Sequence, residues 1–275
     1  MAKGSSHRAN DFRTTRFLME KRNNMSRLLG VNTLVFNEEL SEGTVQQLTY
    51  IKTIKELGFS FVEIRREFLR NLTEELLETK TEAERFQMPL YYSVPSVLFE
   101  SREINPALTT YFEEARMMGA IQVKVTLGDY HDLQENHVES LAHLFKQYPD
   151  IQLSIENDQS IEGGSAKALS DFIFVAHSHQ LPIQLTFDTG NVLYIQELAE
   201  EAAVVLKDYV NYIHIKNVKQ TPDHQFELAL IGTGDIDIQD VLAVFPENIP
   251  AAIEYPCGNK ETAIDVLKAE KAQLI

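Results

Sequence analysis

Apolar and polar positions along this chain follow two alternating periods. From Leu28 onward a short run rich in β-branched and aromatic residues, a turn, and about 12 to 18 residues with apolar positions at threes and fours recur in the same order. Runs of the first kind are LLGVNTLVF from Leu28, SFVEIRRE from Ser60, PLYYSVP from Pro89, IQVKVTLG from Ile121, IQLSIEND from Ile151, IQLTFDTG from Ile183, YIHIKNV from Tyr212 and AAIEYP from Ala251, eight predicted strands in all. The stretches between them, such as TVQQLTYIKTIKEL, NLTEELLETKTEAERF, HVESLAHLFKQY, SAKALSDFIFVAHSH and QELAEEAAVVLKDY, predict amphipathic helices with one apolar face.

Eight strand-then-helix units predict an α/β fold, a single-domain (β/α)₈ TIM barrel over residues 25–275, in which each helix returns the chain so that the next strand lies parallel. A doubly wound open sheet is the rival, but VNTLVFNEELSEG after the first strand has no G-x-G-x-x-G phosphate fingerprint. The segment from Val218 to Gln239 has little helical pattern and contains IGTGDID, which predicts a long ordered loop at the active-site end of the seventh unit. The first 24 residues carry six Lys or Arg against two acids, the reverse of the rest of the chain. They are expected to form a poorly ordered extension, with a short basic helix over 13–22 and Met25 as an alternative initiator; their Arg-rich, acid-poor character also resembles a weak transit signal.

Composition narrows the function. A hydrophobic fraction of 44% in 275 residues is enough for a large core. A formal net charge of −16, from 41 acids and 25 bases, argues against nucleic acid as a partner, because phosphate binding draws on clustered Lys and Arg. A local basic pocket for one small phosphate stays compatible with that charge. The single cysteine, Cys257, permits no internal disulfide and no cysteine zinc cage, and is expected to pack as a small core residue. No run approaches the roughly 20 apolar residues that cross a bilayer. The expected setting is the cytoplasm, without a membrane.

In a (β/α)₈ barrel the chemistry sits at the C-terminal ends of the strands. The fifth strand ends in Glu156, the sixth in Asp188, the seventh contains His214 and the eighth ends in Glu254, each about one strand-plus-helix unit from the next. An acid at a strand end is often only a helix cap or turn former. Four such residues on successive strands point instead to one mouth. Buried carboxylates without a cation repel one another and cost several kcal/mol each, and a divalent metal removes that conflict. Oxygen-rich ligation with one imidazole suits Mn²⁺, Mg²⁺, Co²⁺ or Zn²⁺.

These residues resemble the xylose isomerase-like TIM barrels, a group of sugar isomerases, epimerases and related lyases that also includes AP endonucleases. The resemblance rests on SIEND around Glu156, FDTGN around Asp188, YIHIKN around His214, GTGDID from Gly232 to Asp237 and IEYP around Glu254, and it spans roughly 28–268. It implies one divalent metal held by Glu156, Asp188, His214 and Glu254, with Glu156 and Glu254 as base and acid on opposite faces of a hydroxy-ketone or aldehyde whose enediolate the metal stabilises. Two positions depart from the pattern. Many members read D-x-G-H and H-x-K-D after the sixth and seventh strands, where this chain has Asn191 and Asn217. Asn191 argues against a multi-metal nuclease site.

Other candidates for substrate binding are Glu63 and Arg65, two apart on one strand face and suited to a hydroxyl, carboxylate or phosphate, together with Lys124, Asn191 and Lys216. Asn157, Asp158 and Gln159 are expected to support the site or cap a turn, and Tyr91, Tyr92 and Ser93 to line the pocket or pack. His131, His137, His143, His177 and His179 are expected at the surface, and Gly190 to allow the turn after Asp188. The expected activity is a sugar or sugar-phosphate isomerase or epimerase. A dehydratase or lyase on a keto-polyol or cyclic keto acid is the first alternative, and a catalytically silent metabolite-binding barrel the second. The expected partner is a small carbohydrate, and a homodimer or homotetramer is the assembly allowed for.

Overall fold

The structure, a computed structural model, describes residues 27–275; the expectations for residues 1–24 and for Met25 lie outside the described residues. Eight strands form the barrel: β1 Leu29–Asn32, β2 Phe61–Arg65, β3 Leu90–Glu100, β4 Ala120–Gly128, β5 Gln152–Glu156, β6 Gln184–Asp188, β7 Val210–Ile215 and β8 Ala251–Ile253. Each pairs in parallel with the next, and β8 pairs with β1 to close the ring. Closure leaves the ring no exposed edge.

The helices bury the faces that the spacing predicts. Leu76, Thr79 and Ala83 of the helix Leu72–Phe86 turn inward, as do Leu169, Phe172, Ile173 and Ala176 of Ala166–Ser178. Ser165 caps the latter by accepting from the Ala168 amide at 3.2 Å, a contact worth about 1 kcal/mol. The helix Leu108–Met118 stops at Gly119, whose φ of 77° lies in the left-handed region that a side chain disfavours. Between these helices and the strands, apolar residues such as Val62, Ile64, Val123, Val125, Ile155 and Ile213 form the main core. Cys257 is fully buried there, and burial pushes its thiol up to about 12.

The opposite face of each strand lines the barrel interior, and register sorts these residues into layers. Gly30 aligns with Phe61 and Ala252, and these share the lowest layer with Tyr91 and Tyr212. A Cβ on Gly30 would lie 2.1 Å from the Phe61 ring, so the glycine makes room for the aromatic floor. Tyr91 stacks on Tyr212 at 4.8 Å within that floor, which is the packing role. Above the floor the interior turns polar, with Asn32, Glu63, Ser93, Lys124, Thr186 and His214 all buried.

Three local elements differ from the sequence reading. The first predicted run bends into a 3₁₀ turn at Thr33–Phe36 because the Asn32 side chain accepts the Leu34 amide at 2.9 Å. The segment after β7 holds an antiparallel hairpin, Asn217–Gln220 with Phe226–Ala229. His137 is buried, not on the surface: its Nδ1 accepts from the Gln134 amide and its Nε2 faces Glu103. Among the described residues no helix is long and apolar enough to cross a membrane.

Candidate metal centre

Strand register brings the quartet together. Asp188 on β6 is the direct partner of His214 on β7, and His214 is the partner of Ala252 on β8. Two residues past Ala252 returns to the same face, which places Glu254 one step above His214. Glu156 pairs with Thr186, two before Asp188, so it too faces inward. One donor atom from each of Glu156, Asp188, His214 and Glu254 lies within 4.8 Å of every other, and all four residues are buried.

The two oxygens of Asp188 have different surroundings. Oδ1 accepts the backbone amides of Gly190 and Asn191, both at 2.8 Å, and so starts the short helix Asn191–Tyr194. Oδ2 is buried without a hydrogen-bond partner, and Lys216 Nζ lies 3.6 Å away. Burial pushes the Asp188 carboxyl up to about 7, with Glu254 and Glu156 adding to the effect and Lys216 opposing it. A cap and a candidate ligand thus coexist in one carboxylate.

Glu156 accepts from Lys124 Nζ through Oε2 and faces His214 Nδ1 through Oε1 at 2.6 Å. Burial disfavours its charge, but Lys124 and His214 outweigh that and hold it below the ordinary carboxylate range. Glu254 takes Arg65 Nη1 on Oε1 at 2.6 Å, which leaves Oε2 toward the centre, 3.8 Å from His214 Nδ1. Arg65 is also held by Glu67. Burial favours the uncharged forms of Lys124 and Lys216, yet the surrounding carboxylates hold both ammonium groups above their usual value.

The other ring nitrogen of His214 meets Glu63. Nε2 lies 2.7 Å from Glu63 Oε2, which also accepts from Tyr212 Oη and Asn32 Nδ2, each at 2.9 Å. Burial works against the His214 cation, but Glu63, Glu254 and Glu156 raise it well above the usual imidazole value. Glu63 therefore sits beneath His214 with no exposed surface, not on the open side of the centre.

A divalent cation fits these residues. Three carboxylates and one imidazole form a hard donor set, Asp188 Oδ2 has no hydrogen-bond partner, and a cation there would relieve the burial penalty on Asp188.

The remaining candidates occupy supporting positions. Asn191 accepts from Lys216 Nζ at 2.8 Å and from Gln159 Nε2, and donates to the Asn157 carbonyl. Asn157 pairs its side-chain amide with both backbone groups of Asp188, at 2.7 and 2.9 Å, as an added rung beyond the end of β5. Gly190 has helical angles, φ −92° and ψ −29°, so the turn does not require glycine. A Cβ there would lie 2.8 Å from Lys216 Cγ, and the need is space. Asn217 donates to the carbonyls of Ile231 and Ile236 and accepts the amides of Val218 and Ile236, which closes the GTGDID loop onto β7. The sequence reading left out Asn32 and Tyr212; for Tyr212 the signal was its place two before His214 on one strand face. Tyr92 points outward to Glu114 instead of lining the mouth.

Neither a protein-family model nor a curated protein matches this chain. Solved structures do share its fold. The D-psicose 3-epimerase from Clostridium cellulolyticum H10, with D-tagatose, aligns at a TM-score of 0.65 and 16% identity over 91% of this chain and 98% of that one. The 3-keto-D-glucoside 4-epimerase YcjR from E. coli gives 0.61 and 13% over 90% and 99%. The probable 3-DHS dehydratase AsbF from Bacillus anthracis, involved in petrobactin synthesis, gives 0.67 and 13% over 91% and 98%. What the chain shares with them is the (β/α)₈ TIM-barrel fold.

Proposed function

We propose that this chain is a metal-dependent isomerase or epimerase of sugars or sugar phosphates that moves a proton next to a carbonyl. The observation that carries the reading is the convergence of Glu156, Asp188, His214 and Glu254, together with a buried carboxylate oxygen, Asp188 Oδ2, that has no hydrogen-bond partner. A divalent ion held there would supply Lewis-acid stabilisation of the negative charge that develops on neighbouring oxygens of a hydroxy-ketone. Glu254 Oε2 has no short hydrogen bond, and it is the group we assign to take the proton. Glu156 is the second carboxylate we assign, to return a proton once its contact with His214 Nδ1 opens. Arg65 and Lys216 border the mouth, each half-hidden and charged, and orient substrate hydroxyl or phosphate oxygens. Lys124 and Glu63 act on the substrate through Glu156 and His214.

The sugar epimerases of the same fold support this reading, and the lone cysteine and absence of an apolar span in the sequence support a cytoplasmic setting. The test is deuterium exchange from D₂O into a panel of keto-sugars and their phosphates, using chelated protein and protein restored with Mn²⁺ or Mg²⁺. Metal-dependent exchange at one carbon is the expected result. No exchange on any member, or equal exchange without metal, removes the proposal, and tight binding without exchange favours a silent barrel.

A second reading, dehydration of a keto-polyol or cyclic keto acid, draws on the same geometry. Both oxygens of Glu156 are engaged, and Asp188 Oδ2 is the oxygen assigned to the ion, which leaves Glu254 Oε2 as the acceptor for a proton. Epimerisation needs two proton-moving groups on opposite faces, whereas elimination needs one base and an acid for the departing hydroxyl. A conjugated enone among the products, seen by its ultraviolet absorption, would identify it.

A further inference from the structure

A separate cavity opens on the catalytic face of the barrel, beside the metal centre and without any of its ligands. It has a volume of about 750 Å³ and lies between the segment after β6, Leu193 to Leu198, and the hairpin after β7. That volume is within the roughly 300 to 1,000 Å³ of sites that enclose drug-sized molecules. Tyr194 and Phe226 form its aromatic wall, with ring centroids 5.1 Å apart. Gln220, His224, Gln225 and Asp235 supply polar groups around the rest.

The cavity adjoins the mouth of the centre. Asn191 and Tyr194 sit three apart in one short helix, a spacing that puts two side chains on the same side. Asn191 holds Lys216 Nζ at 2.8 Å, so the helix that carries Tyr194 also contacts the Lys216 ammonium. Lys216 Nζ, 3.6 Å from Asp188 Oδ2, thus joins the metal centre to the helix that bears the aromatic wall.

An aromatic wall facing amides, an imidazole and a carboxylate suits a sugar ring. The C–H face of a pyranose packs on aromatic carbons, while its hydroxyls need paired donors and acceptors of the Gln and Asp kind. We propose that this cavity is a subsite for a second, unreacting sugar ring, so that the natural substrate is a glycoside of two or more rings, not a free monosaccharide. The proposal rests on the isomerase reading for the identity of the reacting ring. Binding in the subsite itself needs neither metal nor turnover.

The test uses the full chain after chelation and measures binding by calorimetry and saturation-transfer NMR. Cellobiose, maltose and sucrose are the probes, with glucose and fructose as single-ring controls. At least one disaccharide is expected to bind tenfold or more tightly than both monosaccharides. Phe226→Ala, on a half-buried hairpin position, is expected to weaken that disaccharide fivefold or more, and Gln225→Ala, at an exposed position of the lining, to weaken it as well. A panel in which no disaccharide outbinds the monosaccharides overturns the proposal, and so does a preference that survives both substitutions. Because no step reads catalysis, failure of the isomerase reading leaves these outcomes interpretable.

Discussion

His214 Nε2 lies 2.7 Å from Glu63 Oε2, on the side of the imidazole away from the quartet. With Nε2 so occupied, Nδ1 is the nitrogen presented to the carboxylates of Glu156 and Glu254. Tyr212 and Asn32 hold Glu63 in turn, so three strands fix the orientation of one ring. A carboxylate behind a ligating histidine sets its tautomer and raises its basicity.

Glu63→Gln is expected to weaken divalent-metal affinity roughly 10- to 100-fold while the fold persists. Titration with Mn²⁺ followed by electron paramagnetic resonance measures it. Unchanged affinity in a folded variant would reduce Glu63 to a packing residue.

Asp188→Asn separates the two duties of that side chain. The amide oxygen still receives the Gly190 and Asn191 amides, so the chelated variant should keep its stability within about 1 kcal/mol. The anionic second oxygen is gone, and metal should no longer stabilise the protein. For the unmodified chain, metal at 100 times its Kd adds about 2.7 kcal/mol, or roughly 5 to 10 °C in Tm. Thermal melts of both proteins with and without metal decide it; an undiminished metal shift in Asp188→Asn would count against ligation.

The barrel and its quartet were legible because both are periodic. Period-two strands that end in acids at regular spacing carry their own register, and closure of the ring follows from strand count. What escaped was set by contacts between distant segments. Glu63 and Arg65 share a strand face, but one reaches Oε2 down to His214 and the other reaches Glu254, a division decided by height in the barrel. His137 looked like a surface helix residue because its partners, the Gln134 amide and Glu103, lie outside its own periodicity. The hairpin after β7 escaped for a related reason: its strands read KQTPDHQF at their junction, too polar to stand out from a loop.

Asn217→Asp tests what the amide at this position contributes. Asn217 Nδ2 donates to two carbonyls, those of Ile231 at 2.9 Å and Ile236 at 3.0 Å. A carboxylate cannot donate and would face both oxygens, so the variant should lose about 2 kcal/mol or more. Chemical denaturation measures the loss, and amide exchange should rise across 230–237. Equal stability would mean that the loop closes without these bonds.

Gly190→Ala distinguishes space from conformation. Alanine is at ease with φ −92° and ψ −29°, so a glycine needed only for the turn would be replaced without loss, or with a gain of up to about 1 kcal/mol from a less mobile unfolded chain. The new Cβ would instead meet Lys216 Cγ at 2.8 Å and the Lys216 carbonyl at 3.2 Å. Thr189 fixes that backbone, its hydroxyl donating to the Lys216 carbonyl at 2.6 Å and accepting the Lys216 amide at 2.9 Å, so the side chain must give way first. We expect a loss of about 1 to 3 kcal/mol by denaturation and a Lys216 ammonium displaced from Asn191 and Asp188. Gly190→Ala with unchanged stability and an unchanged Lys216 signal by ¹⁵N NMR would show that the close approach is not what selects glycine.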